Sequence, residues 1–162
     1  MPQFSLRKAM PEDASLVLYF IKKIAEYEKM LDEVRATEAD IYDSLFVRKA
    51  ACSLIAEEDG KPVGFALYFF NFSTFIGRPG LYLEDIFILP EYRGKGYGTK
   101  IFHELACIAE QENCGRMEWT CLDWNEPSRQ FYRNMGAVTM DDWTVHRFTE
   151  DVIHKIAANE KI

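Results

Sequence analysis

No apolar run in the 162 residues is long enough to span a bilayer, because charged residues or glycines interrupt every candidate. The N-terminus also lacks the charged, apolar and small-residue order of a secretory leader, so a cytoplasmic protein with no membrane role is expected. Basic charge is in short supply: 19 Lys and Arg stand against 26 Asp and Glu, a net charge of −7. That balance argues against a nucleic-acid partner and suits a small cationic one. Cys52, Cys107, Cys114 and Cys121 show no C-x-x-C spacing, and His103, His146 and His154 do not gather beside them. No metal is therefore expected, and the thiols read as free in a reducing compartment. Repeats, low-complexity tracts and linkers are missing too, which leaves a single domain over residues 1–162 with a sizeable core.

What the chain does hold is concentrated between Leu81 and Gly98, LYLEDIFILPEYRGKGYG. Leu81 to Leu89 is apolar except for Glu84 and Asp85, is rich in β-forming residues and is closed by Pro90, so it reads as a buried central strand. Two adjacent carboxylates are costly there, and in a regular strand they face opposite ways; a bulge or splay aims both into a cleft. Arg93-Gly94-Lys95-Gly96-Tyr97-Gly98 follows, then a helix with Ile101, Leu105 and Ile108 on one face, flanked by Phe102. Alternating glycines let backbone N–H groups turn around an anion at a helix N-terminus, as a pyrophosphate requires. The spacing fits neither a Walker loop nor a dinucleotide fingerprint, which needs glycine where Thr99 stands.

Around this stretch, Phe4 to Met10 predicts a first strand and Pro11-Glu12-Asp13 a helix start. Leu16, Phe20, Ile24, Tyr27 and Leu31 predict one buried helical stripe, with acidic Glu26, Glu28, Asp32 and Glu33 at its far end. Thr37-Glu38-Ala39-Asp40 resembles a capping box that opens a short helix through Ile41, Leu45 and Phe46. Strands over Cys52–Glu57 and Pro62–Phe72 meet at an Asp59-Gly60 hairpin turn, and Gly64 signals a bulge or a close approach. Asn71 to Gly80 predicts a long aromatic loop. Arg116–Asp123 predicts another strand, Asn125 or Glu126 starts a helix that Gly136 ends, Thr144–Thr149 predicts a last strand, and Val152, Ile153 and Ile156 ride a C-terminal helix.

Arg93-x-x-Gly96-x-Gly98 after a Glu-bearing strand resembles the acyl-coenzyme A (acyl-CoA) site of the GNAT N-acetyltransferase superfamily. Trp124-Asn125-Glu126-Pro127-Ser128, then Phe131-Tyr132 and Gly136-Ala137, resembles the second half of that site. Tyr82 to Asp85 and Asp123 to Pro127 are similar to the diamine and polyamine (spermidine/spermine) and thialysine acetyltransferase branch, over nearly the whole chain. The resemblance implies an α/β (α+β) fold with a central mixed, twisted sheet splayed between the fourth and fifth strands and flanked by helices.

It also implies acetyl-CoA as cosubstrate and a homodimer. The pyrophosphate is expected on Arg93, Gly94, Lys95, Gly96, Tyr97, Gly98 and Thr99, and the pantetheine arm along Ile86, Phe87 and Ile88, with Asn125 and Ser128. Tyr132 is the implied general acid, next to the leaving thiolate. Glu84 is the candidate base, acting through water, because an alkylamine of pKa about 10.4 is almost wholly protonated at neutral pH. Tyr27, Glu28, Glu33, Phe75, Glu84 and Asp85 are candidate substrate residues. Cys121 has no evident basic partner, which argues against a covalent route. The polyamine enzymes carry Asp where Ser73 stands, whereas Ser73-Thr74-Phe75 resembles the thialysine branch. A shorter amine, thialysine-like, lysine-like or a short diamine, is therefore expected ahead of spermidine or spermine. A CoA-binding module with little turnover is the further alternative.

Overall fold

The computed structural model describes residues 1–161 and divides into two compact units, Met1–Leu122 and Asp123–Ile162. The first unit is built on a five-stranded sheet in the order β1 (Phe4–Lys8), β2 (Cys52–Glu58), β3 (Lys61–Ser73), β4 (Arg78–Ile88), β5 (Arg116–Glu118). The first four strands pair antiparallel and β5 joins β4 in parallel, so the sheet is mixed. Helices α1 (Ala14–Tyr27), α2 (Glu38–Tyr42) and α3 (Tyr97–Gln111) complete this unit.

Local sequence accounts for most of these boundaries. Pro11–Asp13 forms a 3-10 turn in front of α1, and the Asp13 carboxylate accepts from the Met10 N–H at 2.7 Å. Thr37 and Asp40 form the expected capping box: the Thr37 hydroxyl accepts from the Asp40 N–H at 3.2 Å, and the Asp40 carboxylate accepts from the Thr37 N–H at 2.8 Å. The helix it opens runs on through a π-turn at Asp43–Val47 and buries Ile41 and Leu45. Asp59 (φ 51°) and Gly60 (φ 79°) make a hairpin turn with two successive left-handed residues, which matches the strand twist. Gly64 does both things expected of it. The β2–β3 register shifts beside it, between Ala56 and Glu57, and a Cβ on Gly64 would stand 2.5 Å from the Phe87 carbonyl oxygen of β4.

The core between α1 and the sheet is made by Val17, Phe20, Ile55, Phe65 and Phe87, with the Phe20 and Phe65 rings stacked at 5.4 Å. The buried stripe of α1 is Ala14, Val17, Phe20 and Ala25, whereas Leu16, Ile24 and Tyr27 pack at its margin. Leu31 falls outside the stripe. The helix ends at Tyr27, and the 3-10 turn Leu31–Glu33 leaves Leu31 exposed, because a 3.6-residue period holds only while the helix lasts.

One loop and two strand expectations need correction. Asn71–Gly80 is no long loop: Asn71–Ser73 pair with Arg78–Gly80, and a tight turn closed by the Gly77 N–H donating to the Ser73 carbonyl at 2.8 Å joins the strands. β5 is three residues rather than the eight of Arg116–Asp123, because its ladder with β4 ends at Tyr82–Glu118. Thr144–Thr149 forms no strand: Val145 and Phe148 are exposed and the segment joins no ladder, so its β-forming residues lack the cross-strand partner that a strand requires. The second unit holds α4 (Glu126–Asn134), capped by the Asn125 side chain, which accepts from the Ser128 N–H, and α5 (Glu150–Ala157). Gly136, at φ 97°, follows α4 in the left-handed conformation expected there. Among the described residues no helix is long and apolar enough to cross a membrane, and no group of His, Cys, Asp and Glu could hold a metal. None of the four cysteines forms a disulfide.

Candidate active site

β4 is the structural source of the site. Its parallel ladder with β5 covers only Gly80–Tyr82, so the strand runs on from Leu83 to Ile88 with its β5-facing edge outside that ladder. A splay between the fourth and fifth strands is expected at this point, and the ladder does end here. Those edge groups of Ile86, Phe87 and Ile88 are the kind that an extended, amide-bearing chain can pair with.

On its other side β4 bulges. The β3 register passes from Leu67↔Asp85 to Tyr68↔Leu83, leaving Glu84 without a facing residue. A bulge breaks strict alternation, and the two carboxylates consequently influence each other. Asp85 is half-buried, and its pKa is pushed up to about 7, first by burial, then by the negative charges of Glu84 and Glu28. Glu84 itself is exposed. Glu28, half-buried at the C-terminal end of α1, also has its pKa raised by burial. Three acids from β4 and α1 thus converge. The sheet bulge and the end of α1 bring them together.

The glycine loop follows directly. Gly94 (φ 78°) and Gly96 (φ 80°) adopt the left-handed conformation, with open space where a side chain would stand. Gly98 lies inside the first turn of α3, so the loop turns on two glycines rather than three. The first N–H groups of that 15-residue helix have no intrahelical partner and face the same end. Arg93 braces the loop: its Nε donates to the Ile88 carbonyl at 2.9 Å, and its guanidinium lies 5.1 Å from the ring centres of both Tyr27 and Phe87. Lys95 is tied to Glu58 at the end of β2. Thr99 is exposed in the first turn of α3. This cradle fits a diphosphate-bearing ligand.

Other candidates lie elsewhere. Glu33 is exposed in the Leu31–Glu33 turn, and Phe75 is fully exposed in the turn between β3 and β4, while the charges acting on Asp85 are those of Glu84 and Glu28. Ser73 is buried at the base of that turn, where its hydroxyl accepts from the Ile76 N–H at 3.3 Å. It serves the turn. Reading by residue type missed that role because a serine in an expected loop carries no mark of burial. In the second unit, Asn125 caps α4, Ser128 follows in its first turn, and Tyr132 is half-buried with its ring edge-on to Phe131 at 5.7 Å.

A mixed sheet that opens beside β4, a glycine loop at a helix N-terminus and a bulged acidic pair are the parts of an enzyme that takes an acyl group from a CoA thioester. Residues 18–137 match the model described as Acetyltransferase (GNAT) family, and the chain belongs to that family of N-acetyltransferases, whose cosubstrate is acetyl-CoA. It is 34% identical to a thialysine N-epsilon-acetyltransferase of Bos taurus, over 94% of this chain and 96% of the relative. It is 32% identical to spermidine/spermine N(1)-acetyltransferase-like protein 1 of Homo sapiens, over 99% of this chain and 24% of that longer protein. Among solved structures, an integron cassette protein from the mobile metagenome of V. cholerae superposes with a TM-score of 0.77 at 28% identity, covering 95% of this chain and 97% of the other.

Proposed function

We propose that this acetyltransferase moves an acetyl group from acetyl-CoA directly to the primary amine of a small molecule of thialysine-like, lysine-like or short-diamine type. The observation that carries the reading is the convergence of Glu84, Asp85 and Glu28 beside the open edge of β4, an acidic surrounding suited to an alkylammonium. The near full-length similarity to enzymes named for thialysine supports the substrate class.

Acetyl-CoA supplies an acetyl group already activated as a thioester. The loop Arg93–Thr99 receives its pyrophosphate through backbone N–H groups, the edge of Ile86–Ile88 aligns its pantetheine amides, and Asn125 and Ser128 contribute from the start of α4. The amine must lose a proton before it attacks. Glu84, reachable by solvent, relays that proton through water. Asp85, with its pKa near 7, is a better matched acceptor at neutral pH than an ordinary carboxylate. Tyr132 gives a proton to the departing thiolate, a role supported by the family motif around it. Tyr27 and Glu28 border the amine side, with Glu33 and Phe75 as outlying contributors. The reading takes residues 1–162 as a single acetyltransferase domain, in a cytoplasmic homodimer that takes no nucleic-acid, membrane or metal partner.

Polyamine acetylation is the second reading, favoured by the similarity to the spermidine/spermine acetyltransferase-like protein. A thiol-release assay with acetyl-CoA against thialysine, lysine, short diamines, spermidine, spermine and a lysine peptide separates the two. Saturable turnover on one of the first three supports the small-amine reading, and preference for spermidine or spermine replaces it. CoA binding without turnover on any amine points to a binding module. If Tyr132→Phe leaves turnover unchanged from pH 7 to 9, the general-acid assignment fails.

A further inference from the structure

The side chains of Lys95 and Tyr97, both in the glycine loop, converge on one carboxylate outside it. Glu58, the last residue of β2, accepts from Lys95 Nζ at 2.8 Å on Oε2 and 3.1 Å on Oε1, and from the Tyr97 hydroxyl on Oε2. The Tyr97 ring is buried and stacks on Phe4 of β1 at 4.2 Å, and Phe4 is the register partner of Glu58. The turn that follows Glu58 is itself tied to β1. Asp59 N–H donates to the Gln3 carbonyl at 2.8 Å, and Gln3 N–H donates to Asp59 Oδ1 at 2.9 Å. Glu58 is therefore mounted on a rigid corner of the sheet.

Lys95 sits between Gly94 and Gly96, the two residues with the greatest backbone freedom in the loop. A loop built on two glycines has many shapes, and each must be given up when a ligand is received. A tether at Lys95 and a second at Tyr97, the first residue of α3, remove much of that freedom in advance. The same contact occupies the Lys95 ammonium, a cation of the loop that would otherwise be open to a phosphate.

We propose that Glu58 is a positioning residue for the donor substrate: it holds Lys95 and Tyr97 so that the glycine loop is preset for the CoA pyrophosphate, and Lys95 acts through this tether rather than as a phosphate ligand. The inference rests on reading Arg93–Thr99 as the CoA loop. Its sign is specific. Removing Glu58 releases a lysine close to a phosphate and thereby favours binding, yet it also loosens the loop. Because an exposed lysine is strongly screened, the loosening dominates.

The test is calorimetric binding of CoA to the full chain and to Glu58→Gln, Lys95→Met, the double variant and Tyr97→Phe, alongside steady-state kinetics. Glu58→Gln is expected to weaken CoA binding and raise the acetyl-CoA KM about tenfold while leaving kcat and the amine KM unchanged. The double variant is expected to bind no more weakly than either single change, since both break one tether. Tyr97→Phe keeps the ring on Phe4 and removes only the hydroxyl, so weaker CoA binding at unchanged melting temperature separates tethering from loss of fold. Unchanged or tighter binding by Glu58→Gln overturns the proposal, as do additive losses in the double variant, which make Lys95 an independent phosphate ligand. Absence of CoA binding by the unmodified chain overturns the loop reading itself.

Discussion

The Arg93 guanidinium lies 5.1 Å from the centre of the Tyr27 ring, which joins the glycine loop to the end of the helix that carries Glu28. The Phe87 ring of β4 takes the same cation at 5.1 Å, and the Ile88 carbonyl accepts from its Nε. The glycine loop and the acidic end of α1 therefore share one side chain. Replacing Arg93 by Met is expected to destabilise the fold by about 1–2 kcal/mol, through two cation–π contacts and one hydrogen bond, and to raise the acetyl-CoA KM. Arg93→Lys keeps the charge without the planar group and should fall between the two. Chemical denaturation and kinetics on the three proteins check this.

Asp85 ties function to pH. Its folded pKa, about 7, stands above the ordinary 3.8. For a group raised in this way, stability is fully present below pH 3.8 and is lost as pH rises to about 7, after which the loss is constant. Asp85→Asn removes that penalty. The variant is expected to be more stable than the parent by up to about 4 kcal/mol at pH 8, with the difference shrinking toward pH 4, while its turnover falls at least tenfold at pH 7. Equal melting temperatures of the two proteins at pH 8 would contradict the burial of this carboxyl.

Asp13 has the opposite dependence. Its carboxylate accepts from Arg7 Nη1 at 2.7 Å and Nη2 at 3.0 Å, and hydrogen bonding to Arg7 holds its pKa below the usual 3.8. Glu57 pairs with the same arginine. The stability it adds is present above pH 3.8 and disappears as pH falls through the lowered value. Asp13→Asn should cost about 1–3 kcal/mol at pH 7 and progressively less as pH falls below 3.8, a trend that urea titrations across this range would reveal.

Gly96 isolates the cost of loop shape. A Cβ there meets nothing within 4 Å, but φ is +80°, so Gly96→Ala strains the backbone without a clash. About 1 kcal/mol of destabilisation is expected, with CoA binding weakened more than the fold. Binding unchanged at lower stability would show that the loop keeps its shape without this glycine.

Much of this molecule follows from local pattern. The acidic pair in an apolar strand, the glycines before a helix, the Asp59-Gly60 turn and the Thr37–Asp40 box each lie within a few residues of their consequence. The chemistry there is short-range: backbone freedom, capping hydrogen bonds and strand patterning act between near neighbours. Glu84 and Asp85 stand out in the sequence because two carboxylates in a buried strand demand a reason.

Tertiary structure alone decided the rest. Residue order did not reveal that Glu58 reaches Lys95 and Tyr97 across 37 and 39 positions, that Glu28 bears on Asp85, or that Ser73 turns inward to hold a hairpin. Nor did it reveal that β5 ends after three residues, or that Thr144–Thr149, rich in β-forming side chains, joins no ladder. A strand exists only where a neighbouring edge receives its hydrogen bonds, and a carboxylate acquires its pKa only from the burial and charges that folding places around it.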